Sequence, residues 1–226
     1  MRESRGGAVN PTNNVTDIQD FLTRVLPWPT DDELGFCNLH WSHPDKNEPG
    51  KKVWLGRPFR SPTELIGMAR WIVQNVAKAD IYFCLSRQQL TGTNKKGKTI
   101  ALRSTANASS LKSIWLDIDV KEPPAGYASL EEALLRFNEF RVKFKLPPPS
   151  ALVASGGGVH VYWVSKTPLT PAQWRPYAEG LKAAAMQFDL RCDYAVTTDS
   201  ARILRMPGTF NHKTTEPRPV KILELS

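Results

Sequence analysis

The chain reads as a mixed α/β or α+β protein, on three observations. Four segments carry helix-start signals followed by apolar residues at helical spacing. Eight short runs with strand character lie between and around them. No internal repeat or low-complexity tract interrupts the series. Strands mixed with helices pack as sheet against helix around a common core.

Taken in order, Thr16 and Gln19 form a capping-box pair before Ile18, Phe21, Leu22 and Val25. Ser61, Pro62 and Glu64 open a second helix with Leu65, Met68, Ile72 and Val76 on one face. Ser129 and Glu132 open a third, with Leu130, Leu134, Phe137, Phe140 and Phe144 apolar. Thr170, Pro171 and Gln173 open the fourth, whose stripe is Trp174, Tyr177, Leu181, Ala184 and Phe188. The aromatic stripes are expected in the core. Strands are expected over 34–41, 52–55, 81–86, 113–119, 151–154, 159–164, 202–206 and 219–225. Residues 91–98, TGTNKKGK, read as a mobile loop, and 147–149 as a stiff proline connector. The prolines between Pro27 and Pro62 predict irregular backbone in the first third. Residues 1–15 read as a flexible polar tail. Residues 16–226 read as one domain, its two submodules meeting near residue 110.

A chain of 226 residues is long enough to bury a substantial core. Its 41% hydrophobic and 23% charged residues are those of a soluble globular protein. A formal charge of +8 favours an anionic partner, of which nucleic acid is the commonest. No apolar run reaches the ~20 residues of a membrane helix, and the polar N-terminus does not resemble a signal peptide. Three scattered cysteines make no disulfide framework and point to the cytoplasm. Cys37, His40 and His43 have zinc-like spacing. No fourth ligand or CxxC accompanies them, so a small buried thiol beside surface histidines is expected instead.

Three segments carry chemistry. In Ile114–Asp119, IWLDID, strand alternation turns Ile114, Leu116 and Ile118 to one face and Trp115, Asp117 and Asp119 to the other. Two carboxylates ~7 Å apart on one face are costly without a positive charge between them, and a hard divalent cation suits them. A solvated strand end would carry the same pattern. Residues 155–163, SGGGVHVYW, place three glycines and His160 between apolar runs. Such a turn admits close approach of a phosphate, or is simply a hairpin. Residues 193–213, DYAVTTDSARILRMPGTFNHK, combine Asp193 and Asp199 with Arg202, Arg205, Asn211 and Lys213. Paired arginines near carboxylates suit polyphosphate, or a salt-bridged surface loop.

Together these are the parts phosphoryl transfer requires. Their order resembles the archaeo-eukaryotic primase superfamily: a DxD, a glycine-rich turn ending in His, then Asp before RxxRxPGTxNxK. The primase-polymerases of phages, plasmids and mobile elements are the nearest resemblance, and it covers about residues 80 to 225. It implies an N-terminal α/β module packed on an RRM-like module. The site would lie on an open sheet face between them. It implies Asp117, Asp119 and Asp193 as metal-binding catalytic acids, with Asp199 competing for the third place. His160 and Arg205 would contact the triphosphate of the incoming nucleotide, with Arg202 a weaker match. Ser155, Gly157, Gly158, Asn211 and Lys213 would border the pocket. Many members have Ser where this chain has Gly158, so a hydroxyl contact is lost. The zinc-binding stem of some members has no visible counterpart. The implied cofactor is Mg²⁺ or Mn²⁺. The implied substrates are dNTPs or NTPs on single-stranded DNA, with Lys95, Lys96 and Lys98 as further nucleic-acid contacts. A helicase domain accompanies many members. The alternatives are a single-stranded nucleic-acid binding module with a decayed site, or a metal-dependent nuclease.

Overall fold

The computed structural model describes residues 13–226. Residues 1–12, most of the expected tail, lie outside the described residues. The elements run α1 (Val15–Val25), β1 (Phe36–Pro44), β2 (Lys52–Phe59), α2 (Pro62–Asn75), β3 (Asp80–Gln88), β4 (Thr91–Thr93), β5 (Thr99–Ala101) and β6 (Ala108–Asp119). There follow α3 (Leu130–Lys143), β7 (Ala151–Ala154), β8 (Gly158–Leu169), α4 (Pro171–Phe188), α5 (Tyr194–Thr197), β9 (Ile203–Arg205), β10 (Phe210–Asn211), β11 (Arg218–Pro219) and β12 (Lys221–Leu225).

All four expected helices form. Ser61, Ser129 and Thr170 cap α2, α3 and α4 through their side chains, and Thr170 with Gln173 completes a full capping box. At α1 the cap is Asn14 and not Thr16: the Asn14 side chain accepts from the Asp17 amide, so the helix begins at Val15, within the expected tail. Asparagine two residues upstream offers the same acceptor without ending the apolar stripe. The stripe of α4 is also corrected. Trp174, Ala178, Leu181 and Ala185 are buried, while Tyr177 is 60% exposed. The helix faces its core through small residues that admit the sheet closely, and the tyrosine falls beside that face.

One eight-stranded sheet runs through both halves in the order β12-β7-β8-β6-β3-β1-β2, with β9 paired to β3 off this path. Every pairing is antiparallel. The proline-containing first third is therefore largely a regular hairpin, β1 with β2, rather than irregular backbone. Pro58 lies within β2, which pairs on one edge only, where a missing amide is tolerated. Residues 91–98 are likewise not an open loop. β4 and β5 pair, and the Asn94 side chain closes their turn by accepting from the amides of Lys96 and Lys98. The adjacency β6-β8-β7, with α3 and α4 packed behind, is the RRM-like order expected of the second half. Residue 110 falls inside β6, which joins the halves by pairing β3 at one end and β8 at the other.

Two cores sit on the sheet. One gathers Phe21 and Leu22 of α1, Leu65 and Ile72 of α2, and Phe83, Trp115 and Tyr162 of the strands. The other packs Phe137 and Phe140 of α3 and Leu181 and Ala185 of α4 on Leu116, Ile118, Val159 and Val161. Among the described residues no helix is long and apolar enough to cross a membrane.

Candidate active site

The period-2 alternation of β6 builds the site. Leu116 and Ile118 enter the α3/α4 core. Trp115 is fully buried in the other core, stacked on Trp174 at 5.1 Å, its indole donating to the Val196 carbonyl at 2.9 Å. Two residues on, the cover ends, and Asp117 and Asp119 emerge on the same face as Trp115, their side chains 21% and 23% exposed. Across the ladder Asp117 lies opposite His160 and Asp119 opposite Gly158. The free edge of β6 is lined by 191–193. Asp119 N donates to Arg191 O at 3.3 Å, and Asp193 N donates to Asp117 O at 2.9 Å. Asp193 is thereby fixed beside the two strand acids. One of its carboxylate oxygens accepts from the Ala195 and Val196 amides and caps α5. The Asp199 carboxylate accepts from Ala201 N at 3.0 Å.

The acids are electrostatically crowded. Burial pushes the Asp117 carboxyl up; Arg202 pulls it down and Asp193 adds to the rise. Burial likewise raises Asp119, against the Lys121 ammonium 2.9 Å away. His160 supplies no compensating charge. It is 2% exposed, and burial, then Arg205 and Arg202, hold its pKa at about 3, so the ring is neutral near pH 7. Its Nε2 lies 3.6 Å from Asp117 Oδ1, and its Nδ1 3.3 Å from the Tyr162 hydroxyl. Crowded carboxylates with raised pKa values, and, among the described residues, no Lys or Arg within 4.0 Å of the Asp117 carboxylate, are a donor set that fits a hard divalent ion. Among the described residues, no three or more His, Cys, Asp or Glu side chains already cluster closely enough to hold one. Lys121 occupies Asp119 and the α5 amides occupy Asp193.

The cationic side comes from β9, which pairs with β3 so that Arg205 lies opposite Tyr82. The Arg205 guanidinium sits 5.2 Å over the Tyr82 ring and donates to its hydroxyl at 3.3 Å. The Nε atoms of Arg205 and Arg202 are buried with no hydrogen-bond partner among the described residues. Unsatisfied guanidinium donors beside a carboxylate cluster suit an anionic ligand bridging the two.

Other expected residues also carry framework contacts. Ser155 N donates to Gly158 O across the β7–β8 turn, so that amide is not free for a phosphate. Asn211, 4% exposed, donates to Ser155 O at 3.3 Å and accepts from Lys213 N at 3.0 Å, tying the 211–213 segment to the turn. Gly157 O accepts from Val120 N. Lys95, Lys96 and Lys98 are exposed on the β4–β5 hairpin. Cys37 is buried in the core with Leu39 and Trp41, while His40 packs against Gly56.

One residue of the site escaped the sequence reading. Asp80, fully buried at the start of β3, accepts from Lys52 Nζ and from His212 N, each at 2.8 Å, and lies 3.9 Å from Arg205 Nη2. Burial raises its carboxyl, but Lys52, the His212 amide and Arg205 together outweigh burial and hold it below the ordinary range. The signal was an alternation of Asp80, Tyr82, Cys84 and Ser86 against Ile81, Phe83 and Leu85. It marks a second polar sheet face. A carboxyl with a depressed folded pKa gives stability above its unfolded value and loses it as pH falls. Asp80→Ala is expected to cost about 3 kcal/mol near pH 7 by leaving the largely buried Arg205 guanidinium and the His212 amide without their acceptor. That deficit should shrink in acid, which denaturant titrations at two pH values would measure.

No family model and no curated protein matches the chain in sequence. Its fold is shared with solved primase-polymerase and primase domains. The primase-polymerase domain of cyanophage S-2L superposes with a TM-score of 0.61 at 16% identity, over 94% of this chain and 91% of that one. The primase RepB' superposes with a TM-score of 0.51 at 14% identity, over 93% of this chain and 56% of that one.

Proposed function

We propose that the chain is the catalytic domain of a DNA primase/polymerase, joining nucleotides on a single-stranded template. The replication of a phage, plasmid or other mobile element is its setting. The observation that carries this reading is the closeness of the β6 carboxylates to arginines of the β9 segment whose buried Nε donors have no partner among the described residues. This is the division of labour nucleotidyl transfer requires. Asp117, Asp119 and Asp193 would hold divalent ions. Two such ions, Mg²⁺ or Mn²⁺, would supply activation of the attacking 3′-hydroxyl and neutralisation of the departing pyrophosphate. Arg205 and Arg202 pair with triphosphate oxygens, and their donors gain most as charge moves onto the leaving group. Neutral His160 keeps a buried ring beside Asp117 without neutralising it, so the carboxylate remains available as a ligand. Lys121, 2.9 Å from Asp119, is that carboxylate's counter-ion and would have to release it for Asp119 to hold a divalent ion.

The direct test is retention of a labelled dNTP with and without divalent metal. Metal-dependent retention supports the reading. A pure nucleic-acid binding module or a nuclease would not retain the triphosphate. Arg205→Ala is expected to raise the apparent KM for nucleotide about 10- to 100-fold, the worth of a lost charge-assisted hydrogen bond. An unchanged KM would remove Arg205 from the pocket.

A further inference from the structure

Beyond Arg205 the sheet continues from β3 onto β1 and β2. On β1–β3, pairing sets Trp54 opposite Ser42, Ser42 opposite Asp80, and His40 opposite Tyr82. Trp54 is 53% exposed on the edge strand. Its ring lies 5.5 Å from that of Tyr82 and is tilted by 31°. Tyr82 in turn lies under Arg205. An aromatic series thus runs from solvent to the guanidinium beside the acids. Trp71 and Tyr177 are comparably exposed, but both stand on helices, and neither is paired with another aromatic ring.

The surroundings of Trp54 are cationic. Lys52, two residues before it, is 42% exposed even while bound to Asp80. Arg57 and Lys98 line one surface groove where the β4–β5 hairpin meets β2, and Lys95 and Lys96 stand exposed on that hairpin. The hairpin is seated close: a Cβ at Gly56 would lie 3.1 Å from that of Ala101. The acids of the β1–β2 turn are Asp45 and Glu48, and Glu48 is paired with Lys51. A half-exposed indole on an edge strand that also carries Lys52, beside a hairpin with exposed lysines, has the composition of a stacking platform for unpaired bases.

We infer that Trp54 is a base-stacking residue for the single-stranded nucleic acid, holding an unpaired template base just outside the catalytic cleft. The cations of β2 and of the β4–β5 hairpin take its phosphates. The proposal rests on the polymerase reading for the identity of the strand, but it is tested without catalysis. Trp54→Ala and Trp54→Phe proteins would be titrated against labelled oligothymidylate, and against an abasic strand of equal length, by fluorescence anisotropy without metal or nucleotide. Circular dichroism and melting would establish that the variants are folded. Trp54→Ala is expected to lose roughly tenfold in affinity for oligothymidylate, and Trp54→Phe to keep most of it. Both should bind the abasic strand as the parent does. The slope of affinity against salt should be unchanged in Trp54→Ala and shallower in Lys98→Ala. Parental affinity of Trp54→Ala for oligothymidylate would overturn the proposal. So would an equal loss on the abasic strand, because the ring would then act on charge or fold and not on bases. Absence of metal-dependent dNTP retention in the parent would sink the polymerase reading and leave the stacking result to be judged by itself.

Discussion

Asp117→Ala is expected to abolish nucleotide incorporation, to below about one hundredth of the parental rate, while the protein stays folded. The acid is framework to nothing. Its side chain makes no hydrogen bond among the described residues, and the neutral His160 imidazole lies 3.6 Å away. Burial of its charge, with Asp193 beside it, outweighs the pull of Arg202 and Arg205, so its removal relieves a net electrostatic cost. Asp117→Asn should therefore melt no lower than the parent, and by the general trade between site and stability it should melt somewhat higher. Mg²⁺ or Mn²⁺ should raise the melting temperature of the parent, by stabilising the state that binds it, and raise that of Asp117→Asn far less. A variant that extends primers at the parental rate would remove Asp117 from the chemistry. Equal metal stabilisation of both proteins would move the metal elsewhere.

Gly158→Ala is expected to be the most destabilising methyl that can be added near the site, at about 3 kcal/mol or more. A Cβ there would lie 2.0 Å from the Ile118 carbonyl oxygen and 3.2 Å from the Asp119 Cα. Both are backbone atoms of the strand that carries the acids, so neither a rotamer change nor a small side-chain shift relieves the contact. The β7–β8 turn would have to leave the end of β6, taking the Asp119–Gly158 and Asp117–His160 pairs with it. Gly180 is the control. It lies exposed in α4 with nothing within 4 Å of its would-be Cβ, so Gly180→Ala should stabilise by up to about 1 kcal/mol. Chemical denaturation of the two variants beside the parent measures both. A near-neutral Gly158→Ala would mean that the turn is not clamped on β6. The departure from a serine at this position, common in the family the sequence resembles, then has a steric cause: no side chain fits.

What was legible in the chain follows from how local each signal is. Caps at Ser61, Ser129 and Thr170 declare helices within four residues, and the run Ala151–Ala154 is bounded by proline and glycine, so those limits came out as expected. The alternation in Ile114–Asp119 correctly separated core from carboxylates. It could not reveal that Trp115 is covered, because the covering residues, Trp174 and Val196, are more than fifty positions away. The same limit hid the pairing of β9 with β3, and with it the meeting of Arg205, Tyr82 and Asp80. Long-range pairing leaves no trace in a local window. The β4–β5 hairpin was missed for another reason: its strands are three residues each, and glycine and lysine outweigh them in composition.

The most direct test of the central claim is synthesis on single-stranded DNA with labelled nucleotides, with and without an annealed primer, in Mg²⁺ or Mn²⁺, beside the Asp117→Ala protein. Template-dependent products from the parent alone are the predicted result, and their appearance without a primer would make the chain a primase as well as a polymerase. No product under any of these conditions, from a protein that binds the DNA and is folded, would contradict the claim.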